Sequence, residues 1–254
     1  MMLKKFLSRQ DFSSYEDFKA NYRVTVPPRF NFAYDIVDGW AELDDAKPAL
    51  AWIDDRQQEI SRYSFGDMKR MSNQAANLFK SLGIRKGDTV LLILRQRVEV
   101  WVCLLALHKI GAIAIPASFQ LKSKDLEYRF QAAEVKLAVI VDNPDVMEAV
   151  SSALPACPGV GDVMVVGNQV PAGWRDFRRE VAQHSTDWTK PEGDEYPCLH
   201  DPMLLYFSSG TSGMPKMVLH DYTYPLGHIV TAKYWQCVED GGLHLTAVDS
   251  GWAK

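Results

Sequence analysis

The chain has 254 residues, of which 47% are apolar and 24% charged, and its 28 basic and 32 acidic side chains leave a net charge of −4. These are the proportions of a globular protein, long enough for one large domain or two small ones around a buried core. No basic run or stripe is present, so nucleic acid is not an expected partner, and no stretch reaches the ~18 apolar residues of a membrane span.

The first residues, Met-Met-Leu-Lys-Lys-Phe-Leu, are basic but lack an apolar core, and Asp11, Glu16 and Asp17 follow, so they do not read as a signal peptide. Cys103, Cys157, Cys198 and Cys237 are widely spaced, with no C-x-x-C pair and no histidine at ligand spacing. That pattern predicts neither a zinc site nor a disulfide framework and suits a reducing, cytoplasmic setting, with Cys103 a small core hydrophobe.

In chain order, Ser13 or Ser14 with Glu16 or Asp17 predicts a short capped helix to about Tyr22, ended by Pro27-Pro28. Asn31 caps a second helix that places Ala33, Ile36, Val37 and Trp40 on one face. Residues 49–53 and 60–63 flank polar Asp54 to Glu59 as a hairpin, and Ser64 with Asp67 opens a long amphipathic helix that Gly83 stops. Strands then alternate with helices. Thr89–Leu94, Ala112–Ile115, Leu137–Val141 and Val163–Val166 are short, apolar and rich in Val and Ile, as buried parallel strands are. Helices are expected near Glu99–Ile110, Lys124–Glu134 and Asp145–Ala153.

This predicts an α/β fold, a doubly wound, mostly parallel sheet with flanking helices, plus the incomplete start of a second α/β subdomain. The expected division is a lead with helices and hairpin (1–63), a first α/β subdomain (64–185, with a short helix near 176–183), a Pro- and Gly-containing linker (186–202), and a phosphate-loop segment (203–254). The last part carries strands at Met203, Met217–Leu219 and Leu243–Thr246 and a helix from about Thr223. Glu99, Arg95 and Arg97 read as a solvated rim at a strand end.

The most informative stretch is Tyr206-Phe-Ser-Ser-Gly-Thr-Ser-Gly-Met-Pro-Lys216, where an apolar run breaks into hydroxyls and glycines and closes on a lysine. Gly210 and Gly213 can take positive φ and turn consecutive backbone N–H groups toward one anion. Ser208, Ser209, Thr211 and Ser212 add hydroxyl donors, and Lys216 adds a point charge that a phosphate can meet. The spacing is not that of a Walker A loop, which disfavours a P-loop kinase or GTPase.

The loop resembles the signature of the adenylate-forming superfamily, which includes acyl- and aryl-CoA synthetases, peptide-synthetase adenylation domains and luciferases. Asn31-Phe-Ala-Tyr-Asp-Ile-Val-Asp-Gly-Trp-Ala41, Gln120–Gln131, Pro215-Lys-Met217 and Asp249-Ser-Gly-Trp252 resemble its medium-chain acyl-CoA synthetase branch. The resemblance implies a ligase that uses ATP, Mg²⁺ and coenzyme A. A carboxylic acid would attack the α-phosphorus, pyrophosphate would leave, and the CoA thiol would then displace AMP. It assigns Ser208, Ser209, Gly210, Thr211, Ser212, Gly213, Met214, Pro215 and Lys216 to the ATP phosphates, with Lys216 an electrostatic stabiliser and no other catalytic residue among the 254. It assigns Gln120 to coenzyme A, His220 and Trp252 to the carboxylate pocket, and no residue to a metal.

The Tyr-Gly-x-Thr-Glu and Thr-Gly-Asp segments of the family do not occur here, so the chain reads as the N-terminal portion of such an enzyme and is expected to be inactive by itself. The partial second sheet would leave an open edge, and self-association through residues after about 200 is expected. A non-catalytic nucleotide-binding or regulatory module derived from the same family is the alternative.

Overall fold

The computed structural model describes residues 2–53, 60–208, 213–245 and 248–251. Ser14 accepts the Asp17 N–H at 3.1 Å and starts α1 (Tyr15–Asn21). Asn31 also caps, its Oδ1 taking the Ala33 N–H at 3.0 Å. The turn that follows widens into a π-helix, Ala33–Asp38, before α2 (Gly39–Leu43). The wide turn points Tyr34 and Asp38 inward together, where both bind Lys109. β1 (Pro48–Ile53) and β2 (Ile60–Ser64) pair antiparallel as expected, and the expected turn at Asp54 to Glu59 lies outside the described residues. Ser64 and Asp67 exchange backbone and side-chain bonds in a capping box that opens α3 (Phe65–Ser81).

From here strand and helix alternate: β3 (Thr89–Ile93), α4 (Val98–Ile110), β4 (Ile113–Pro116), α5 (Ser123–Ala132), β5 (Leu137–Val141), α6 (Pro144–Ala153) and β6 (Asp162–Val166). Gly111 at φ 87° ends α4, a left-handed position where a side chain is strained. β7 (Arg175–Asp176) and α7 (Phe177–Val181) follow, then β8 (Pro202–Ser208), β9 (Lys216–Asp221) and α8 (Tyr224–Gly227). The main sheet runs β7-β6-β5-β3-β4-β8-β9, parallel throughout except for the β8–β9 pair. Alternate residues of its central strands face two layers. Val90, Leu92, Ala114 and Val139 pack under α3 and α4, while Leu91, Ile93, Ile115 and Ile140 pack under α5 and α6. This is the doubly wound arrangement read from the sequence.

The strands at Met203 and Met217 enlarge the first sheet and do not open a second one. β4 is buried on both faces, and its outer N–H and C=O groups need a partner that water cannot supply. β8 supplies it, in register at Ala114 and Leu204. The connection from Ser208 to Lys216 is too short for a crossover, so β9 returns antiparallel. Residues 243–245 form no strand, contrary to expectation, and Thr246 lies outside the described residues. β7 went unmarked because two residues carry no periodicity. The start of the expected linker lies against α3, whose Asn73 and Asn77 donate to the carbonyls of Thr186 and Asp187 at 2.8 Å, while Gln74 and Asn77 hold the carbonyls of His184 and Ser185 just before it.

The rim reading of Glu99 is also corrected. Glu99 is buried and receives the Arg178 guanidinium at 2.8 Å, because α7 folds back over the start of α4. Arg97 pairs with Asp142 at 2.8 Å across the β3 and β5 strand ends.

Candidate functional site

β3, β4 and β8 are parallel, so their carboxyl ends open on one side of the molecule. After β3 the chain moves to β4 by way of α4 on one face, and after β4 it returns past β3 to β5 by way of α5 on the other. The strand order reverses between β3 and β5, so the topological switch point, where α/β sheets bind ligands, lies at the carboxyl ends of those two strands, with the β4 end next to it.

The candidate phosphate loop follows β8, which lies beside β4 and two strands from β3. Ser208 and Lys216 face each other in register at the open end of β8 and β9, the Ser208 hydroxyl reaching the Lys216 carbonyl at 3.4 Å. Both side chains are exposed, and Lys216 has no ion pair among the described residues. Gly213 has φ 139°, a positive value that suits glycine, while Met214 is exposed and Pro215 half-buried. Ser209, Gly210, Thr211 and Ser212 lie outside the described residues. α5 supports the loop. Tyr128 donates its hydroxyl to the Pro215 carbonyl at 2.9 Å and packs edge-on to Phe207, and Arg129 lies over the Phe207 ring at 4.9 Å. Burial pulls the Arg129 guanidinium below its ordinary pKa. These two supports were missed from sequence, although Tyr128 and Arg129 fall inside the Gln120–Gln131 segment that carried the resemblance.

Gln120 lies exposed just past the end of β4, its N–H bonded to the Ser118 hydroxyl at 3.3 Å, and so stands on the same side as the loop. Val248 to Gly251 also come to this side. Gln96 donates to the Val248 carbonyl at 3.3 Å, and Ser250 donates to the Arg95 carbonyl at 3.1 Å. Trp252 lies outside the described residues.

His220 is not brought together with the loop. It stands opposite Leu204, toward the other end of β9 and roughly 13 Å along the strand from Lys216 at ~3.3 Å per residue. There its ring packs at a tilt against Tyr224, centroids 4.2 Å apart, and helps line a cleft of about 500 Å³ with His200, Asp221, His228 and Thr231. Burial, then the neighbouring His228, lowers its pKa, and Asp221 opposes the shift. Among the described residues no group of three His, Cys, Asp or Glu could hold a metal ion. No helix there is long and apolar enough to cross a membrane.

Behind the site lies a buried polar hub at the end of α4. The Lys109 ammonium, inaccessible to solvent, donates to Asp38 at 2.9 Å, Ser72 at 3.0 Å and Asn73 at 2.6 Å. Burial raises the Asp38 pKa and lowers that of Lys109, and their attraction opposes both shifts. The His108 carbonyl takes bonds from Asn31 and Tyr222, tying the N-terminal segment and the end of β9 to one helix turn.

The sequence profile described as AMP-binding enzyme matches residues 37–248. The mitochondrial acyl-coenzyme A synthetase ACSM5 of Homo sapiens is 32% identical over 243 residues, covering 91% of this chain and 40% of the relative. The mitochondrial acyl-coenzyme A synthetase ACSM3 of Pongo abelii is 31% identical, covering 96% and 42%. Among solved structures, the anthranilate CoA ligase AuaEII in complex with anthranoyl-AMP superposes with a TM-score of 0.72 at 25% identity, over 83% of this chain and 38% of that one. An acyl-CoA synthetase of Brucella canis shares the fold at a TM-score of 0.75, with 24% identity over 88% of this chain and 39% of that one. The chain thus spans about 40% of the length of the relatives it matches.

Proposed function

Because the chain belongs to the AMP-binding enzyme family, we propose that it forms the phosphate-binding part of an AMP-forming acyl-CoA synthetase. The observation that carries this reading is the placement of Lys216, which has no ion pair among the described residues, opposite Ser208 at the carboxyl end of a parallel sheet. In the proposed reaction a carboxylate oxygen bonds to the α-phosphorus of ATP while the bond from that phosphorus to the bridging oxygen breaks and pyrophosphate leaves. The sulfur of coenzyme A then bonds to the acyl carbon, the thiol proton is released, and AMP departs.

The physical obstacle in the first step is the approach of an anion to a polyanion. Lys216 lowers it by meeting charge that builds up on the leaving pyrophosphate, and Gly213 lets the loop amides turn toward the same oxygens. Tyr128 and Arg129 hold the loop's base rigid, so that the positive groups need not reorganise as the bond breaks. No side chain of this chain is assigned to Mg²⁺; the magnesium that accompanies ATP is commonly held largely by phosphate oxygens and water. Gln120, on the loop's side of the sheet, is the candidate contact for coenzyme A.

Medium-chain fatty, short-branched and aromatic acids are the candidate substrates. The four unpaired cysteines suit a reducing compartment, the cytoplasm or, as for the relatives named above, the mitochondrion, and cell fractionation decides between them. The test of function is pyrophosphate release by the full-length protein with ATP and Mg²⁺ across a panel of carboxylic acids. Acid-dependent release supports the ligase. ATP binding without release for any acid sinks it and favours a nucleotide-binding module.

A further inference from the structure

A groove of about 590 Å³ that shares no residue with the phosphate loop lies between the segment leading into α1 and the wide helical turn Thr231–Trp235. Phe12, Tyr15 and Phe18 line it from the first segment, Tyr234 and Trp235 from the second. Phe12, Phe18 and Tyr234 pack edge to face on one another with centroids 5.1–6.1 Å apart, and Tyr234 donates its hydroxyl to the Gln10 carbonyl at 2.9 Å. The groove is thus formed before anything enters it. Tyr15 and Trp235 stand 70% and 84% exposed, and among the described residues no other ring and no cation lies over either.

The charge of the groove is one-sided. Asp11 is the only charged residue that lines it, and its carboxylate has no ion pair among the described residues. That carboxylate acts on the groove: burial first and the Asp11 charge second raise the pKa of the Tyr234 phenol. The nearest cations of the chain already sit on these rings from outside the lining. Arg9 lies over Phe12 at 4.9 Å with its charge met by Asp17 at 2.8 Å, and Lys233 lies over Tyr234 at 5.5 Å. Aromatic faces carry negative potential and attract cations, and an adjacent carboxylate adds to that field while repelling carboxylates and phosphates.

We propose that this groove is a binding site for a small organic cation, an ammonium or guanidinium group on an apolar body, which Asp11 pairs and the Tyr15 and Trp235 rings cover. The volume is that of a small-molecule site. The proposal is independent of the ligase reading, because the acid, ATP and coenzyme A of that reaction are anions and carry the wrong charge for this groove. Since its two sides come from opposite ends of the described chain, an occupant also ties the N-terminal segment to residues 230–235.

The test is calorimetric titration of the full-length protein with three probes that share one ring and differ in charge: benzyltrimethylammonium, benzyl alcohol and benzoate. The cation is expected to bind about tenfold more tightly than the alcohol, the scale of a cation held on aromatic faces, and benzoate more weakly than either. Asp11→Asn and Trp235→Ala change exposed side chains, so folding should survive both, and each should weaken the cation about fivefold. Saturating cation should also slow hydrogen exchange of residues 10–18 and 230–235 and leave β5 unchanged, since a ligand stabilises the segments it joins. Benzyl alcohol binding as tightly as the cation would reduce the site to an apolar groove and overturn the proposal. Tighter binding of benzoate, no binding of the cation, or an affinity unchanged in either variant overturns it as well.

Discussion

The strands β3 to β6 and the strands β8 and β9 belong to one sheet, yet they are built for opposite purposes. β3, β4 and β5 are buried at every position and paired on both edges. β9 carries exposed Met217, Val218 and Leu219, and among the described residues nothing pairs with its outer edge. The first group gains its stability from apolar area removed from water. The second leaves much of its apolar surface in water, so its exposed residues contribute little to stability. Buried and open strands are thus separated along the sheet, with the Lys109 hub between the N-terminal segment and the strand that carries the loop.

The contrast breaks most severely at the hub. Asp38→Ala leaves the Lys109 ammonium buried without its counter-charge and should cost about 3–5 kcal/mol, read as a lowered urea midpoint. Within the sheet, Ile140→Ala should cost about 2–5 kcal/mol, whereas Leu219→Lys, on the exposed edge, should stay within about 0.5 kcal/mol. Leu219→Lys should also reduce self-association in sedimentation, since a charge on an open edge discourages strand pairing. Equal costs for the two variants would show that the two regions do not differ as described.

Lys216→Ala reverses the pattern. It should leave the melting temperature unaltered and, in the full-length protein, slow adenylate formation on the order of 10²-fold, the scale of losing one preorganised electrostatic contact. A variant with a lower melting temperature and an unchanged rate would make the lysine structural.

The smallest effect is a pH dependence. His108 is buried with neither ring nitrogen bonded, and burial lowers its pKa from 6.5 to about 4. Above pH 6.5 the imidazole is neutral in both folded and unfolded chains and adds no pH dependence. Between 6.5 and 4 the unfolded chain takes up a proton that the folded chain refuses. Stability then falls as pH drops, by at most about 1.4 kcal/mol per pH unit. Urea midpoints at pH 7.5 and pH 5 should differ less in His108→Leu than in the parent chain; equal differences would remove His108 as the cause.

What could be read from the sequence follows from how local each determinant is. The capping residues Ser14 and Ser64 act within three residues, and the apolar runs of β3 to β6 are continuous because both their faces are covered. Gly213 was legible as a positive-φ position because its neighbours spell a turn. These features need no knowledge of distant contacts, so composition and spacing determined the α/β class, the central strands and helices, and the phosphate loop's place after a strand. Only the tertiary structure decided that β8 pairs with β4 and so joins the first sheet. It alone decided that Glu99 is buried under Arg178, that Tyr128 and Arg129 brace the loop, and that His220 stands away from it. Each depends on residues dozens of positions apart meeting in space, and the free energy of such a meeting lies in burial and pairing that neither partner's local sequence records. Gly251 is the sharpest instance: its neighbours do not require a glycine, and the reason for one lies in the backbone of Ala117 and Ser118, which a Cβ there would strike.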